Sequence, residues 1–248
     1  MHRTEADLAA ALDLPRVAWY ASLPSTMDVA HQLAHDGAPA GTLVIADAQT
    51  HGRGRGGRGW MSAAASGVWM TLIERPLDAS GLDVLSLRVG IRAAASLERF
   101  ADGSLCLKWP NDLMRGDGKV GGILIEARWR EQRPEWVAIG IGINLAMPLA
   151  AGGTALGGTT RSGAGVDRWD VLAELIPAVR AAAAGRGALS EREVASFATR
   201  DWARGRRVVS PVAGTVTGIS PAGAVLIETS QGAVASASGS LVLAGESP

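Results

Sequence analysis

Arg53, Arg55 and Arg58 alternate with Gly52, Gly54, Gly56, Gly57 and Gly59 in the run Asp47 to Trp60, D-A-Q-T-H-G-R-G-R-G-G-R-G-W. Glycine tolerates positive φ and close backbone approach. A guanidinium stays charged and offers carboxylates or phosphates a planar fork of donors. Forked cations on a pliant backbone predict a loop that closes over an anion. Three further polar groups stand at expected element ends: Ser25-Thr26, Lys108-Trp109-Pro110-Asn111-Asp112 and Lys119-Val120-Gly121-Gly122-Ile123. Lys108 and Lys119 are the two lysines; every other basic side chain among the 24 is arginine. A compact ammonium is not interchangeable with a guanidinium, so these two positions stand out. The set is rich in fixed positive charge and poor in nucleophiles. That balance suits a reaction in which anions are held together, as when charge develops on a phosphoryl group.

Other chemistries fit less well. An arginine-glycine run can be a disordered RNA-binding tract, but this one is single, short and flanked by apolar segments. Gly52, Gly54 and Gly57 satisfy G-x-G-x-x-G, with Glu74 near the place of a ribose-binding acid. That fingerprint requires a helix opening at the glycines, and Arg58-Gly59-Trp60-Met61-Ser62 carries no amphipathic period. Cys106 lies inside an apolar run and reads as core. His31 and His35 fall one helical turn apart without a clear third ligand, so they read as surface histidines, and no Cys/His cluster has metal-ligand spacing.

The elements that must position the polar groups follow from pattern. Residues 4–12 are weakly helical and Arg16 to Tyr20 reads as a short strand. Ser25 starts a helix, with Asp28 completing a capping-box-like pair, and Gly37 stops it. Thr42 to Ala46 and Gly67 to Ile73 read as buried strands. Leu82 to Phe100 is expected to be one long amphipathic helix, and Leu105 to Trp109 a strand ended by Pro110. Gly116-Asp117-Gly118 makes a turn, and strands follow at Gly121 to Trp129 and Glu135 to Leu145. Residues 150–167 read as a mobile Gly/Thr/Ser-rich loop. Trp169 to Ala184, weakened at Pro177, and Ser190 to Arg204 read as helices. From Gly205 short apolar runs alternate with Gly, Pro and Ser, the texture of a small β-barrel.

Bulk properties narrow the classes. The 248 residues suffice for one main domain and a small one. Basic and acidic residues balance at 24 each, so nothing favours nucleic acid or a membrane surface. A single cysteine excludes an intrachain disulfide and fits a reducing compartment. The N-terminus lacks the apolar core of a signal peptide, and the uncharged stretch Val137 to Thr160 is broken by glycines, Asn144 and Pro148. The chain therefore reads as soluble and cytoplasmic. By residue chemistry alone it is an anion-activating enzyme or a nucleotide binder.

G-R-G-R-G-G-R-G-W, K-W-P-N-D-L, G-K-V-G-G-I-L-I-E and G-I-G-I-N-L, in this order, resemble the biotin–protein ligases. The resemblance runs from about Ser22 to Leu243. It implies an α/β (α+β) fold: a class II synthetase-like ligase domain with a mixed sheet over residues 1–204, then an SH3-like β-barrel over 205–248. It further implies the monofunctional type without an N-terminal DNA-binding domain. The implied activity joins biotin to ATP, giving biotinyl-5′-AMP and pyrophosphate, then passes biotin to a lysine of a biotin carboxyl carrier domain. ATP with Mg²⁺ and biotin are substrates, no prosthetic group is bound, and the protein is a monomer or weak homodimer. Carried over by position, Ser25, Thr26, Gln49, Gly54 and Gly122 surround biotin. Arg53 and Arg55 close over its carboxylate and the adenylate. Arg53, Arg58, Trp60, Asn111 and Asn144 face the nucleotide. Lys119 bridges carboxylate and α-phosphate, and Asp112 orients the incoming lysine or contacts Mg²⁺, while Lys108 supports the Pro110-Asn111-Asp112 turn. Gly56 stands where members often carry a third basic residue, and Met27 where a small polar one is common. The other readings are a lipoate–protein ligase on the related fold and a non-catalytic nucleotide- or biotin-binding regulator.

Overall fold

The structure, a computed structural model, describes residues 3–76, 78–146, 151–157 and 165–245. A seven-stranded mixed sheet forms its centre. In chain order its strands and the surrounding helices are α1 (Glu5–Ala11), β1 (Arg16–Leu23), α2 (Thr26–His35), β2 (Thr42–Gln49), β3 (Gly67–Glu74), α3 (Leu85–Leu97), β4 (Leu105–Lys108), β5 (Asp112–Arg115), β6 (Gly118–Arg130) and β7 (Arg133–Asn144). Then come α4 (Arg168–Ala183), α5 (Glu191–Ala198) and five short strands, β8 (Arg207–Ser210), β9 (Gly214–Ile219), β10 (Val225–Thr229), β11 (Gly232–Ser236) and β12 (Val242–Leu243). The large sheet runs β1-β2-β3-β7-β6-β5-β4. Its β1–β2 pair is parallel, while the pairs beyond it are antiparallel.

The near-continuous apolar runs in β2 and β3 have their reason here: both faces of the sheet are covered. On one face α2 seals a small core of Leu23, Ala30, Ala34, Val44, Ala46, Ile73 and Trp136. On the other, α1, α3 and α4 close a larger core that includes Leu43, Ile45, Met70, Val89, Leu97, Ile139 and Leu175. This larger core continues without a break into Val208, Val216, Val225 and Ile227 of the small sheet, whose order is β11-β10-β9-β8-β12.

Several boundaries differ from the sequence reading. The Leu82 to Phe100 helix is α3 followed by a 3-10 turn at Glu98–Phe100. The expected Ser190 to Arg204 helix stops at Ala198, capped at its start by Ser190 and Glu193. Asp112–Arg115 forms a strand, β5, too short and too mixed in composition to carry a period. α4 continues through Pro177. Of the expected loop 150–167, residues 151–157 are fastened to the sheet: Lys119 N–H donates to Gly152 O and Thr154 N–H to Lys119 O, both at 2.9 Å. Residues 150 and 158–164 lie outside the described residues. Among the described residues no helix is long and apolar enough to cross a membrane.

Candidate active site

A cavity of about 250 Å³ opens on the α2 face of the large sheet. Its floor is set by register. Trp69, Gly142 and Gly122 align across β3, β7 and β6, and Thr71, Gly140 and Leu124 form the next row on the same face. The period of two places Gly140 and Gly142 of the G-I-G-I-N run on this face together. Their missing side chains make a trough in an otherwise filled sheet.

The Trp60 ring lies in this trough. A Cβ on Gly142 would sit 2.5 Å from Trp60 Nε1, and one on Gly122 3.2 Å from its ring. Trp60 meets Trp69 edge-on, with centroids 6.3 Å apart. The Lys119 ammonium stands 5.1 Å over the Trp60 centroid, a cation–π contact, and pairs with Asp112 Oδ1 at 2.6 Å. Asp112 reaches it because β5 pairs directly with the start of β6. Trp60 Nε1 is buried without a protein partner.

One end of the cavity is a chain of neutral donors and acceptors. Ser25 and Thr26 are buried, and Gln49 Oε1 accepts from Thr26 N–H at 2.8 Å. Thr71 Oγ1 lies 2.9 Å from Thr26 Oγ1, and Gln49 Nε2 donates to Ser62 Oγ at 2.6 Å. The Thr26 N–H, which can only donate, fixes the Gln49 oxygen toward α2, and Ser62 receives the amide nitrogen. At the other end are Lys119, Asn111, Asp112 and residues 151–153. Asn111 Nδ2 donates to Ile123 O at 2.7 Å. Asn144 Nδ2 lies 3.3 Å from both Lys119 O and Thr154 O, tying the 151–157 segment to the floor.

The arginine-glycine stretch folds as a flap. Gly54 N–H donates to Arg58 O and Trp60 N–H to Gly52 O, and Arg53 bridges Gly59, so two limbs run antiparallel. A single 3-10 turn at Arg55–Gly57 makes the tip, where Gly56 has φ of +66°, a left-handed value that suits glycine. No helix opens at the glycines, in agreement with the rejected dinucleotide fingerprint. The tip reaches the small sheet's segment, where Arg55 Nη1 donates to Gly239 O at 2.8 Å.

Most sequence-selected residues therefore converge: Ser25, Thr26, Gln49, Arg53, Gly54, Arg55, Arg58, Trp60, Asn111, Asp112, Lys119, Gly122 and Asn144 all line one cavity. Other expectations are corrected. Ser25 Oγ accepts from Met27 N–H, two residues on, and Asp28 is no reciprocal cap because its carboxylate is held by Arg53 at 2.7 Å. His31 is not a free surface histidine, since it bonds to Glu126 and Trp136. Lys108 pairs with Asp112 across β4 and β5, and its ammonium stands 4.7 Å over the Trp202 ring. Cys106, by contrast, packs half-buried against the core as its apolar run implies, and burial pushes its thiol pKa up, which leaves it a poor nucleophile. Met27 is buried, with its Cε 2.7 Å from where a Gly140 Cβ would stand. Sequence reasoning missed Ser62, Thr71, Gly140, Gly142, Asp28 and Glu126. The alternation of glycines in β7 was a signal for the floor; the others have none without tertiary contacts.

Residues 19–144 match the Biotin/lipoate A/B protein ligase family. A bifunctional ligase/repressor BirA from Bacillus subtilis (strain 168) is 44% identical over 124 residues, 50% of this chain and 38% of that protein. A biotin–[acetyl-CoA-carboxylase] ligase from Paracoccus denitrificans is 36% identical over 145 residues, 54% of this chain and 60% of that protein. The matched part of the chain thus spans less than two thirds of these relatives' length. Among solved structures, a biotin protein ligase from Aquifex aeolicus in complex with biotin and ATP superposes with a TM-score of 0.76 at 26% identity, covering 92% of this chain and 98% of that one. With the family pattern covering half of its residues, the chain belongs to the Biotin/lipoate A/B protein ligase family.

Proposed function

We propose that the protein is an ATP-dependent biotin–protein ligase, which activates biotin as biotinyl-5′-AMP and transfers it to a lysine of a biotin carboxyl carrier domain. The observation that carries this reading is the cavity's polarity. A neutral hydrogen-bonding end (Ser25, Thr26, Gln49) lies across an apolar trough from a cationic end at Lys119. A urea that both donates and accepts suits the first end, an aliphatic chain suits the glycine and tryptophan trough, and a carboxylate meeting a phosphate suits the second. The names of the relatives, biotin–[acetyl-CoA-carboxylase] ligase among them, point the same way.

In the first step a biotin carboxylate oxygen bonds to the α-phosphorus of ATP, and the bond from that phosphorus to the pyrophosphate oxygen breaks. Both reactants are anionic, so their approach in water is opposed by charge and by lost freedom. Lys119 offsets the charge, and the walls of the trough supply the orientation. Asp112, at 2.6 Å, holds the ammonium at that end. In the second step the neutral amine of a carrier lysine attacks the biotinyl carbonyl, AMP leaves with the electron pair of the broken C–O bond, and the new amide nitrogen gives up its proton to water. We assign the orientation of that amine to the Asp112 carboxylate. Among the described residues no three His, Cys, Asp or Glu side chains form a metal-binding group. We assign Mg²⁺ to the substrate, arriving with the phosphates of ATP. Residues 1–204 are proposed as the ligase domain and 205–248 as the small β domain, whose segment at Gly239 receives the flap.

The test is direct. The protein is mixed with MgATP, labelled biotin and a carrier domain, and label is followed on the carrier. Label on one carrier lysine, dependent on ATP, is the expected result; an unlabelled carrier refutes the reading. Lipoate in place of biotin is the accompanying control.

A further inference from the structure

Arg53 belongs to the flap, but its guanidinium faces two carboxylates. Nη1 donates to Asp28 Oδ1 at 2.7 Å and Nη2 to Glu126 Oε1 at 2.6 Å. Asp28 sits in the first turn of α2 and Glu126 on β6, so the grip joins the helix beside the cavity, the sheet beneath it and the flap above. An anion arriving at Arg53 would meet two negative charges already in place.

Glu126 is itself held. Its Oε2 lies 3.0 Å from His31 Nε2, and His31 Nδ1 lies 2.9 Å from Trp136 Nε1. Trp136 is 4% exposed and packs in the core beneath α2. An indole N–H can only donate, so Nδ1 is the bare nitrogen of His31 and Nε2 carries the proton toward Glu126. The order runs from a buried indole through a neutral imidazole and a carboxylate to the loop arginine. Asp28 and His31, three residues apart, share one face of α2. The Arg53 limb is bridged to Gly59, next to the Trp60 ring that fills the trough beside Lys119.

We propose that Glu126, His31 and Asp28 are positioning residues that fasten the flap through Arg53, so that retention of the activated intermediate depends on them. The proposal rests on the ligase reading above. An exposed ion pair alone contributes little, because ordering two long side chains offsets the attraction. Here the core already orders Glu126 through His31, and one guanidinium fork serves two carboxylates. Arg53 is then the fastener; of the other lining cations, Lys119 shares one carboxylate, Asp112, while Arg55 and Arg58 donate to backbone carbonyls.

The experiment compares the wild-type protein with Glu126→Gln, Arg53→Met, the double variant and Arg53→Lys. Hydrogen–deuterium exchange over residues 50–62, without substrates, reads the fastening. Adenylate made in the absence of a carrier is read by biotin-dependent pyrophosphate exchange, and its escape by label appearing on the lysines of a bystander protein. Glu126→Gln, which keeps shape and removes charge, is expected to speed exchange in the flap and to raise escape per adenylate formed roughly fivefold or more. The double variant is expected to do no more than either single one, the mark of a shared contact, with Arg53→Lys intermediate. His31→Phe is expected to act in the same direction, its folding checked by circular dichroism. Flap exchange and escape at wild-type levels in Glu126→Gln overturn the proposal. So does a result in which Arg53→Met lowers adenylate formation while Glu126→Gln has no effect, since Arg53 would then be an anion ligand. If the wild-type protein shows no biotin-dependent exchange of pyrophosphate, the ligase reading fails, while the deuterium measurement still decides the fastening.

Discussion

Lys119 lines the cavity, against the Trp60 ring and paired to Asp112. Lys119→Ala is expected to abolish biotin-dependent pyrophosphate exchange, a loss of at least about 100-fold from removing a preorganised charge, while circular dichroism stays unchanged. Gly142 tests the floor. A Cβ there would lie within 3 Å of several Trp60 ring atoms, so Gly142→Ala must displace the indole. The expected outcome is a raised KM for biotin, with quenching-sensitive tryptophan emission shifted toward that of an exposed ring; unchanged KM and emission would mean the trough has slack the geometry does not show.

At the scale of elements, the flap is a thinly buried part of the cavity wall, with Arg53 to Gly59 exposed or half-buried. Segments of that kind open at low free energy. Amide exchange over residues 50–62 is expected to slow when biotin and MgATP are added together, which mass spectrometry can read peptide by peptide. On the far face, too, an ion pair joins separate elements. Arg200 donates to Glu98 at 2.9 and 2.7 Å, linking the end of α3 to the chain after α5. These hydrogen bonds hold the Glu98 carboxyl pKa below its ordinary 4.5. A depressed carboxylate pKa stabilises the fold above the unfolded value and loses that contribution as pH falls through the folded one. Glu98→Gln should therefore lower the melting temperature near neutral pH and flatten its decline below pH 4.5. Parallel acid limbs in the two proteins would refute it.

Across the whole molecule, the large and small sheets share one apolar core. Trp109, 2% exposed, donates Nε1 to Gly223 O at 2.9 Å, and Leu189 N–H donates to Pro221 O. A shared core predicts a single cooperative unfolding transition by calorimetry, not two. Trp109→Phe keeps most of the ring and leaves the Gly223 carbonyl unpaired, for an expected loss of about 1–3 kcal/mol. Two separate transitions, with Trp109→Phe moving only one, would show that the small sheet folds independently.

The sequence by itself picked out most of the polar residues that line the cavity. The arginine-glycine run, Lys119 beside two glycines, and Asn111-Asp112 after a strand are local signals, because residue type and backbone permissiveness are local properties. It also determined most strands and helices, since the apolar periods of β2, β3, β7 and α3 are written in consecutive residues. Tertiary structure decided the partners. Arg53 reads as an anion ligand until Asp28 and Glu126, 25 and 73 residues away, are brought to it. Asp28 reads as a helix cap and His31 as a surface residue for the same reason. Charged and hydrogen-bonding side chains select partners by distance and burial, and neither exists before the sheet places α2, β6 and the flap within reach of one another.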